Sequence, residues 1–295
     1  MKRPIMVGTD LTEASDDALV QAEARATRDE VPITVVHAMS PLLWRAVSDG
    51  DQMERLCEVI RQQFTALTGR RQNEYEVLLS HGLPHSVLAR LAVARQALLV
   101  VGTHMHHGVG HTLLGYDSER VVEGVRAPVL FTRRGSTSER ILVAVDQPFG
   151  SSAALDAAIA EARSSNAKLT AVHAIDAGFT HSRTIGLHDR DVQTVHTLGQ
   201  RPRVVETRQA LRAELRRRRS EADVHVAEGD GPSLVPQIAA RIDASLVVVG
   251  TAHRPGRTSP TTAAVLRHAP CSVLVVDEDS ALLSVRSSSL QTAVG

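Results

Sequence analysis

The chain has 295 residues, of which 43% are hydrophobic and 22% charged, and its 33 basic side chains balance its 33 acidic ones. This length fits two domains of ordinary size, and the composition is typical of soluble globular proteins with cores to bury. A net charge of zero excludes a global electrostatic attraction to nucleic acid or to acidic membranes, and the longest apolar runs are too short to span a bilayer.

The cysteine content argues against two further classes of protein. Cys57 and Cys271 are far apart, and the sequence has no CxxC motif. We therefore expect neither a disulfide framework nor a zinc site built from thiolates, and a reducing compartment fits best. Residues 1–8 enter a strand-like run without the apolar core of a signal peptide. The prediction is a soluble protein of the cytoplasm, with no nucleic-acid and no membrane partner.

The first predicted elements are a strand, a helix and a second strand. Residues 5–10 form an apolar run that ends in Asp10, and residues 34–38 form another that contains His37. Between them, residues 15–28 carry apolar side chains at helical spacing with charged side chains in between. The apolar stripe consists of Ala18, Leu19, Ala22 and Ala26.

Further along, the chain repeats itself: four segments of the first half recur in the second half in the same order. They are residues 5–10 and 141–146, 34–38 and 170–174, 98–103 and 246–251, and 128–130 and 272–274. The first two pairs lie 136 residues apart, the third 148 and the fourth 144. The second half therefore carries about 12 extra residues, which we place in the polar stretch 178–203, and it has lost four residues before its last strand.

Each half reads as five strands alternating with four helices. The strands are continuous apolar runs, which is typical of a parallel sheet covered by helices on both faces. Right-handed helical crossovers between such strands give a doubly wound sheet. The sequence thus predicts an α/β protein made of two tandem doubly wound five-stranded parallel-sheet domains. They are repeat one at residues 1–134 and repeat two at residues 138–279, joined by a short polar linker at 133–139 and followed by a flexible Ser-rich tail at 280–295.

In an open sheet of this kind, ligands bind at the carboxyl ends of the strands, where the strand order reverses. In repeat one, Asp10 ends the first strand and His37 lies at the end of the second. The glycine-bearing segment 102–115 follows the fourth strand and leads into a helix. Glycines let the backbone approach phosphates closely, and a helix N-terminus offers free N–H groups. This pattern indicates a candidate site for a phosphorylated ligand.

The order of these motifs resembles the universal stress protein family. Its features here are Val-Xaa-Val-Asp near the start of a repeat, a strand ending in Val-His, Val-Val-Gly-Thr before a glycine-rich loop, Ser-Glu-Arg-Val, and a closing Pro-Val-Leu. The resemblance covers residues 1–134 and 138–279. It implies a Rossmann-like sheet of the adenine-nucleotide α-hydrolase type, dimer-like packing of the repeats about a pseudo-two-fold axis, and no known catalytic chemistry. Some members of the family bind ATP and others do not.

The resemblance also implies a set of nucleotide-binding positions in repeat one. ATP-binding members carry Gly, two residues, Gly, nine residues, Gly and then Ser or Thr. Gly102 and Gly115 match the first and third glycines, whereas Met105 replaces the second and Tyr116 replaces the Ser or Thr. The predicted nucleotide-binding residues are Thr9, Asp10, Ala38, Gly102, Thr103, Gly108, Gly110, Gly115, Tyr116 and Asp117.

Repeat two departs further from that pattern. His253 stands at the second glycine, and Ser259 with Pro260 replaces the last part of the motif. Proline removes an N–H donor from the turn that would hold the phosphates. We therefore interpret repeat two as a degenerate, structural half. For Asp10, contact with the nucleotide and a hydrogen bond to the following turn stay open as alternatives, and for His37 and His173 we expect a structural role.

These observations lead to three hypotheses of function. The first is a stress-response protein with non-catalytic ATP binding in repeat one, which signals to an unidentified protein partner. The second is a nucleotide-independent interaction scaffold. The third is a metal sensor built on the imidazole cluster of His104, His106, His107 and His111, although these more simply form a solvated polar loop and we expect no metal. No GxSxG, HExxH or Walker motif is present, so we predict that the chain is not an enzyme. The two repeats would pair within the chain, with a further homodimer left open.

Overall fold

The computed structural model describes residues 2–40, 44, 50–103, 118–134, 138–146, 149, 152–175, 189–251 and 258–277. The strands of repeat one are β1 Ile5–Gly8, β2 Ile33–Met39, β3 Glu76–His81, β4 Leu98–Gly102 and β5 Val129–Thr132. Those of repeat two are β6 Arg140–Ala144, β7 Lys168–Ile175, β8 Ala222–Glu228, β9 Leu246–Thr251 and β10 Ser272–Asp277. The helices are α1 Glu13–Asp29, α2 Gly50–Thr68, α3 Pro84–Ala94, α4 Ser118–Gly124, α5 Ala153–Ser165, α6 Asp189–Arg217, α7 Gly231–Arg241 and α8 Pro260–His268.

The strands form one ten-stranded sheet in the order β3-β2-β1-β4-β5-β10-β9-β6-β7-β8. Within each repeat all pairings are parallel and follow the same order, from the third strand through the second, first and fourth to the fifth. This confirms the predicted pair of doubly wound parallel sheets. The order reverses between β1 and β4 in repeat one and between β6 and β9 in repeat two, so these two places are the switch points.

The two halves of the sheet join where β5 pairs with β10 in antiparallel fashion. Leu130 lies opposite Leu274, its equivalent in the repeat alignment. The flanking pairs are exchanged, with Phe131 opposite Val273 and Val129 opposite Val275. The pseudo-two-fold axis therefore passes between the two leucines, and each repeat covers the strand edge that the other would otherwise expose.

The helices form as their side-chain patterns predict. In α1 the predicted stripe is buried along its whole length, and α1 ends at Glu30 in the left-handed conformation, with φ of 53°. In α5 the side chain of Ser152 accepts a hydrogen bond from the N–H of Leu155 at 3.1 Å, which satisfies a donor that a helix N-terminus leaves unpaired. Part of the extra polar stretch of repeat two lengthens α6 to 29 residues. None of the described helices is long and apolar enough to cross a membrane.

Helices cover both faces of the sheet, and each face has its own apolar core. On one face, side chains such as Val7 pack with α1, α2, α5 and α6, and on the other, side chains such as Met6 pack with α3, α4, α7 and α8. Both cores continue across the junction of the repeats, because one contains Leu130 and Leu274 and the other contains Phe131 and Val273. The two repeats thus share their cores.

A charge pair crosses the same junction between α1 and α5. The guanidinium of Arg25 contacts the carboxylate of Glu161 at 2.5 Å, and Arg28 reaches the same carboxylate at 3.5 Å. Arg25 and Glu161 are 136 residues apart, so they occupy equivalent positions in the two repeats. Two identical domains related by this axis would bring like charges together at that point. The observed attraction requires two unlike repeats.

Candidate functional site

The described part of the predicted nucleotide-binding set lies at the carboxyl edge of repeat one. Thr9 and Asp10 follow β1, Ala38 lies near the end of β2, and Gly102 and Thr103 end β4. Since β1 lies between β2 and β4, the sheet brings these residues together at the switch point. The other members lie outside the described residues: Gly108, Gly110, Gly115, Tyr116, Asp117 and the candidate metal ligands His104, His106, His107 and His111.

Thr9 organises the turn that follows β1. It is only 1% exposed, and its hydroxyl oxygen accepts a hydrogen bond from the N–H of Leu11 at 3.1 Å. The same hydroxyl lies 3.1 Å from the hydroxyl of Ser15 and donates to the Gln63 amide oxygen at 3.4 Å. The Gln63 amide in turn donates to Asp16 at 2.6 Å, which ties α2 to α1. Every polar group of this threonine is engaged within the protein, in the turn that carries Asp10.

Asp10 closes that turn. Its Oδ1 atom accepts hydrogen bonds from the backbone N–H of Thr12 at 3.1 Å and from the Thr12 hydroxyl at 2.5 Å. Between these residues, Leu11 has a φ of 64°, in the left-handed region that non-glycine side chains rarely adopt. The geometry contains the hydrogen bond to the following turn that we expected as one alternative for Asp10. It also holds a strained residue beside the switch point, where such strain is often found in binding sites.

The two equivalent histidines make the same contact in both repeats. Nδ1 of His37 lies 2.8 Å from the carbonyl oxygen of Thr9, and Nδ1 of His173 lies 2.6 Å from that of Val145. Because a carbonyl only accepts, each Nδ1 carries the hydrogen, and Nε2 of a neutral ring is an acceptor. The contact pins the end of the second strand of each repeat to the end of the first, which supports a structural role for both histidines.

The end of β4 is tied to Arg133, a residue that the sequence analysis assigned to the polar linker. Thr103 donates to the carbonyl of Thr132 from its N–H at 3.2 Å and from its hydroxyl at 2.9 Å. Nε of Arg133 donates to the Thr103 hydroxyl oxygen at 3.3 Å. Arg133 is 9% exposed, and its burial lowers the pKa of the guanidinium. Its position directly after β5 was the sequence signal for this contact, since residues at a strand end of a parallel sheet line the same edge.

At the same edge of repeat two, Asp146 and Thr251 match Asp10 and Thr103, but two apolar side chains stand where repeat one has polar ones. Val145 stands where repeat one has Thr9, and Phe149, which is 6% exposed, packs edge-on against His173 with 5.2 Å between ring centroids. The equivalent of Phe149 in repeat one is Glu13, an exposed residue. At the start of α8, the hydroxyl of Ser259 accepts from the N–H of Thr262 at 3.1 Å and is used as an N-cap. These contacts support a structural role for repeat two. Sequence analysis missed Phe149, one of only four phenylalanines in the chain.

An aromatic pair borders the outer part of the repeat-one edge. Trp44, the single tryptophan of the sequence, lies edge-on to the His81 ring with 5.4 Å between centroids. His81 ends β3, next to Met39 at the end of β2. The tryptophan therefore reports on the environment of the carboxyl edge of repeat one.

Two other features of the described residues bear on where a ligand could bind. Within the described ranges, no group of three His, Cys, Asp or Glu side chains is placed to hold a metal ion. A groove of about 590 Å³ lies at the opposite, amino ends of β1 and β2 and is lined by Pro4, Pro32 and Tyr75. Two of its charged side chains, Glu76 and Arg95, pair with each other at 3.0 Å.

Comparison with known proteins identifies the relatives of this chain. A protein of Thermus aquaticus described as the universal stress protein in QAH/OAS sulfhydrylase 3'region is 30% identical over 139 residues, which are 45% of this chain and the whole of that protein. Among solved structures, a universal stress protein from Archaeoglobus fulgidus DSM 4304 has a TM-score of 0.66 at 20% identity, covering 94% of this chain and 100% of that one. A functionally unknown protein from Pseudomonas aeruginosa PAO1 has a TM-score of 0.64 at 19% identity, covering 98% and 97%. These two likenesses show the fold.

The family itself is shown by sequence. The model of the universal stress protein family matches twice, over residues 1–133 and over residues 137–277. Each match contains one five-stranded half of the sheet and one switch point. The chain therefore belongs to the universal stress protein family and carries two tandem domains of it.

Proposed function

We propose that this protein is a stress-response protein of the cytoplasm that binds ATP in repeat one without turning it over. Repeat two serves as its structural partner. The observation that carries this proposal is the contrast between the two switch points. In repeat one the edge carries Thr9 and Asp10, and the sequence after Gly102 is rich in glycine. In repeat two, Val145 and the buried Phe149 stand at the positions of Thr9 and Glu13.

The described residues fit an adenine nucleotide in three respects. The turn after β1 is held by internal hydrogen bonds, so it needs little ordering when a ligand arrives. The end of β4 is fixed by Thr103 and leads into glycines whose backbone N–H groups suit phosphate oxygens. The half-buried Trp44 offers aromatic surface at the outer part of the edge. Binding without turnover is proposed because the sequence carries no GxSxG, HExxH or Walker motif.

The test is a calorimetric titration of the full chain with ATP, repeated on Gly115→Trp, whose bulky side chain fills the position of the third glycine. Saturable binding of about one ATP per chain is expected for the wild type, and its loss in the variant. Trp44 fluorescence gives a second readout for the wild-type titration alone, because Trp44 is the single tryptophan of the wild-type chain and borders the proposed site, whereas both variants add a tryptophan. As a matched control, His253→Trp at the degenerate loop of repeat two leaves binding unchanged.

The second candidate function is a nucleotide-independent scaffold that binds a protein partner. One observation favours it, since every polar group of Thr9 is already engaged within the protein. The replacements Met105 and Tyr116 in the motif point the same way. Absence of heat and of any fluorescence change up to millimolar ATP, in protein freed of retained nucleotide, would reject the first function and leave the scaffold.

A further inference from the structure

Arg133 connects the candidate loop of repeat one to the last helix of repeat two. Its Nε donates to the hydroxyl of Thr103, the residue from which the glycine-bearing segment departs. Its two terminal nitrogens cross the junction and donate to the carbonyl oxygens of Leu266 and Ala269. One rigid guanidinium thus holds a loop of one domain and the C-terminal turn of a helix in the other.

The contact with α8 replaces bonds that the helix cannot make for itself. The last carbonyls of a helix have no intrahelical partner, and they carry the negative end of the helix dipole. A guanidinium suits this place because it has five N–H donors in a planar fork and a permanent charge. The hydrogen bonds of Arg133 in the described structure go to carbonyl and hydroxyl oxygens, and its backbone N–H donates to the hydroxyl of Ser272 at 3.1 Å.

Repeat two carries a different residue at the position that Arg133 has in repeat one. In the repeat alignment the equivalent of Arg133 is Asp277. Arg133 directly follows Thr132, which pairs with Gly102, and Asp277 pairs with Thr251, which directly follows Gly250. A carboxylate accepts hydrogen bonds and donates none, so Asp277 cannot hold the carbonyls at the end of α4 in the same way. The loop of repeat one is therefore joined to the other domain through an arginine that the loop of repeat two lacks.

We propose that Arg133 is a positioning residue that couples nucleotide binding in repeat one to the packing of α8 in repeat two. This inference rests on the proposed function for its ligand. A nucleotide bound at the carboxyl edge beside Gly102 restrains Thr103, and through Arg133 it steadies the last turn of α8. By linkage, loosening α8 weakens nucleotide binding by the same factor. Repeat two thus acts as the readout domain of a site that it does not itself contain.

Hydrogen–deuterium exchange of α8 in the full chain tests this coupling. Saturating ATP is expected to slow exchange of the α8 amides about threefold in the wild type, and to leave them unchanged in Arg133→Gln. Arg134→Gln is the matched control, because the neighbouring Arg134 is an exposed partner of Asp17 and should respond as the wild type does. Arg133→Lys separates charge from bridging: lysine keeps the positive charge but cannot hold Thr103 and two carbonyls together, so the coupling stays lost.

A nucleotide-free measurement keeps the two proposals apart. Thr103→Val removes the acceptor of Arg133 Nε while leaving the guanidinium in place, and it should speed exchange of the α8 amides about twofold without ligand. If the wild type binds no ATP, the proposed function fails. The α8 exchange rates of Thr103→Val without ligand still show whether the contact between Thr103 and Arg133 stabilises α8. Unchanged α8 exchange in Thr103→Val, or an ATP response of Arg133→Gln or Arg133→Lys equal to that of the wild type, would overturn the inference.

Discussion

Repeats one and two have the same strand order and the same histidine contact, yet their carboxyl edges differ in kind. In repeat one the first strand ends in Thr9, whose hydroxyl joins Ser15 and Gln63 in a polar network. In repeat two Val145 occupies the same place, and Phe149 closes the edge against His173. The strand order is thus the same in both repeats, whereas residues at the carboxyl edge differ between them.

We expect the largest effect on stability from removing the buried aromatic ring at the carboxyl edge of repeat two. Phe149→Ala should lower the free energy of unfolding by about 3–5 kcal/mol, because it removes a buried aromatic ring and leaves a cavity. Glu13→Ala at the equivalent, exposed position of repeat one should change it by no more than about 0.5 kcal/mol. Denaturant unfolding of both variants measures the difference. Equal effects would mean that the two edges are built alike.

Exchanging the side chains at positions 9 and 145 tests what the polar network of repeat one and the apolar contact of repeat two contribute to stability. Thr9→Val leaves the N–H of Leu11 and the oxygen of Gln63 without their partner, and should cost about 2 kcal/mol. Val145→Thr places a hydroxyl in an apolar surrounding and should cost a similar amount, about 1–3 kcal/mol. Denaturant midpoints of the two variants provide the measurement. A neutral Thr9→Val would show that the network adds nothing to the stability of repeat one.

The charge pair on the pseudo-two-fold axis tests whether the repeats are matched to each other. Arg25→Glu and Glu161→Arg each bring like charges together and should lower stability by about 1–2 kcal/mol, since the pair is largely buried. The double exchange should recover about half of the summed loss, because Arg28 stays near the exchanged position. Arg134→Ala, which breaks an exposed pair with Asp17, is the control and should leave stability almost unchanged. Strictly additive losses would show that this pair does not specify the pairing of the repeats.

Much of the fold could be predicted from the sequence, because its signals are local or repeated. The stripe of α1 has helical spacing, and Ser152 precedes an apolar helix, so both elements were expected near their observed bounds. Repetition of the strands gave the two parallel sheets. The antiparallel pairing of β5 with β10 has no such signal, since the two strands are distant in the chain and nothing near Leu130 indicates which strand it will face.

The candidate site was less predictable, because its decisive contacts join residues that are distant in sequence. Arg133 follows a strand and stands beside Arg134, Gly135 and Ser136, a composition that predicts a solvated linker. It is buried because the end of α8 brings two carbonyls to it. Phe149 lies in a loop, and only the fold shows that the His173 ring is its neighbour. Whether such a side chain is buried depends on a partner that is distant in sequence, and a single sequence shows no pattern that identifies this partner.

The smallest expected effect concerns the outer edges of the sheet. By the register of the strands, His225 in β8 occupies the position that Leu78 has in β3. Burial, together with the positive charges of Arg241 and Arg208, lowers the pKa of His225. The unfolded chain therefore takes up a proton at a higher pH than the folded chain does, so stability is intact above the ordinary histidine pKa of about 6.5 and falls as the pH drops below it.

His225→Leu places in repeat two the residue that repeat one has at this position. It should remove the part of the loss of stability between pH 7 and pH 5.5 that protonation of His225 causes. The measurement is the denaturant midpoint of the wild type and of His225→Leu at several pH values. Because His225 lies on an edge strand and is only partly buried, a small change of slope is expected. If the dependence of the denaturant midpoint on pH is the same in the wild type and in His225→Leu, the acid sensitivity of the chain arises elsewhere. The outer strands β3 and β8 then respond to pH in the same way.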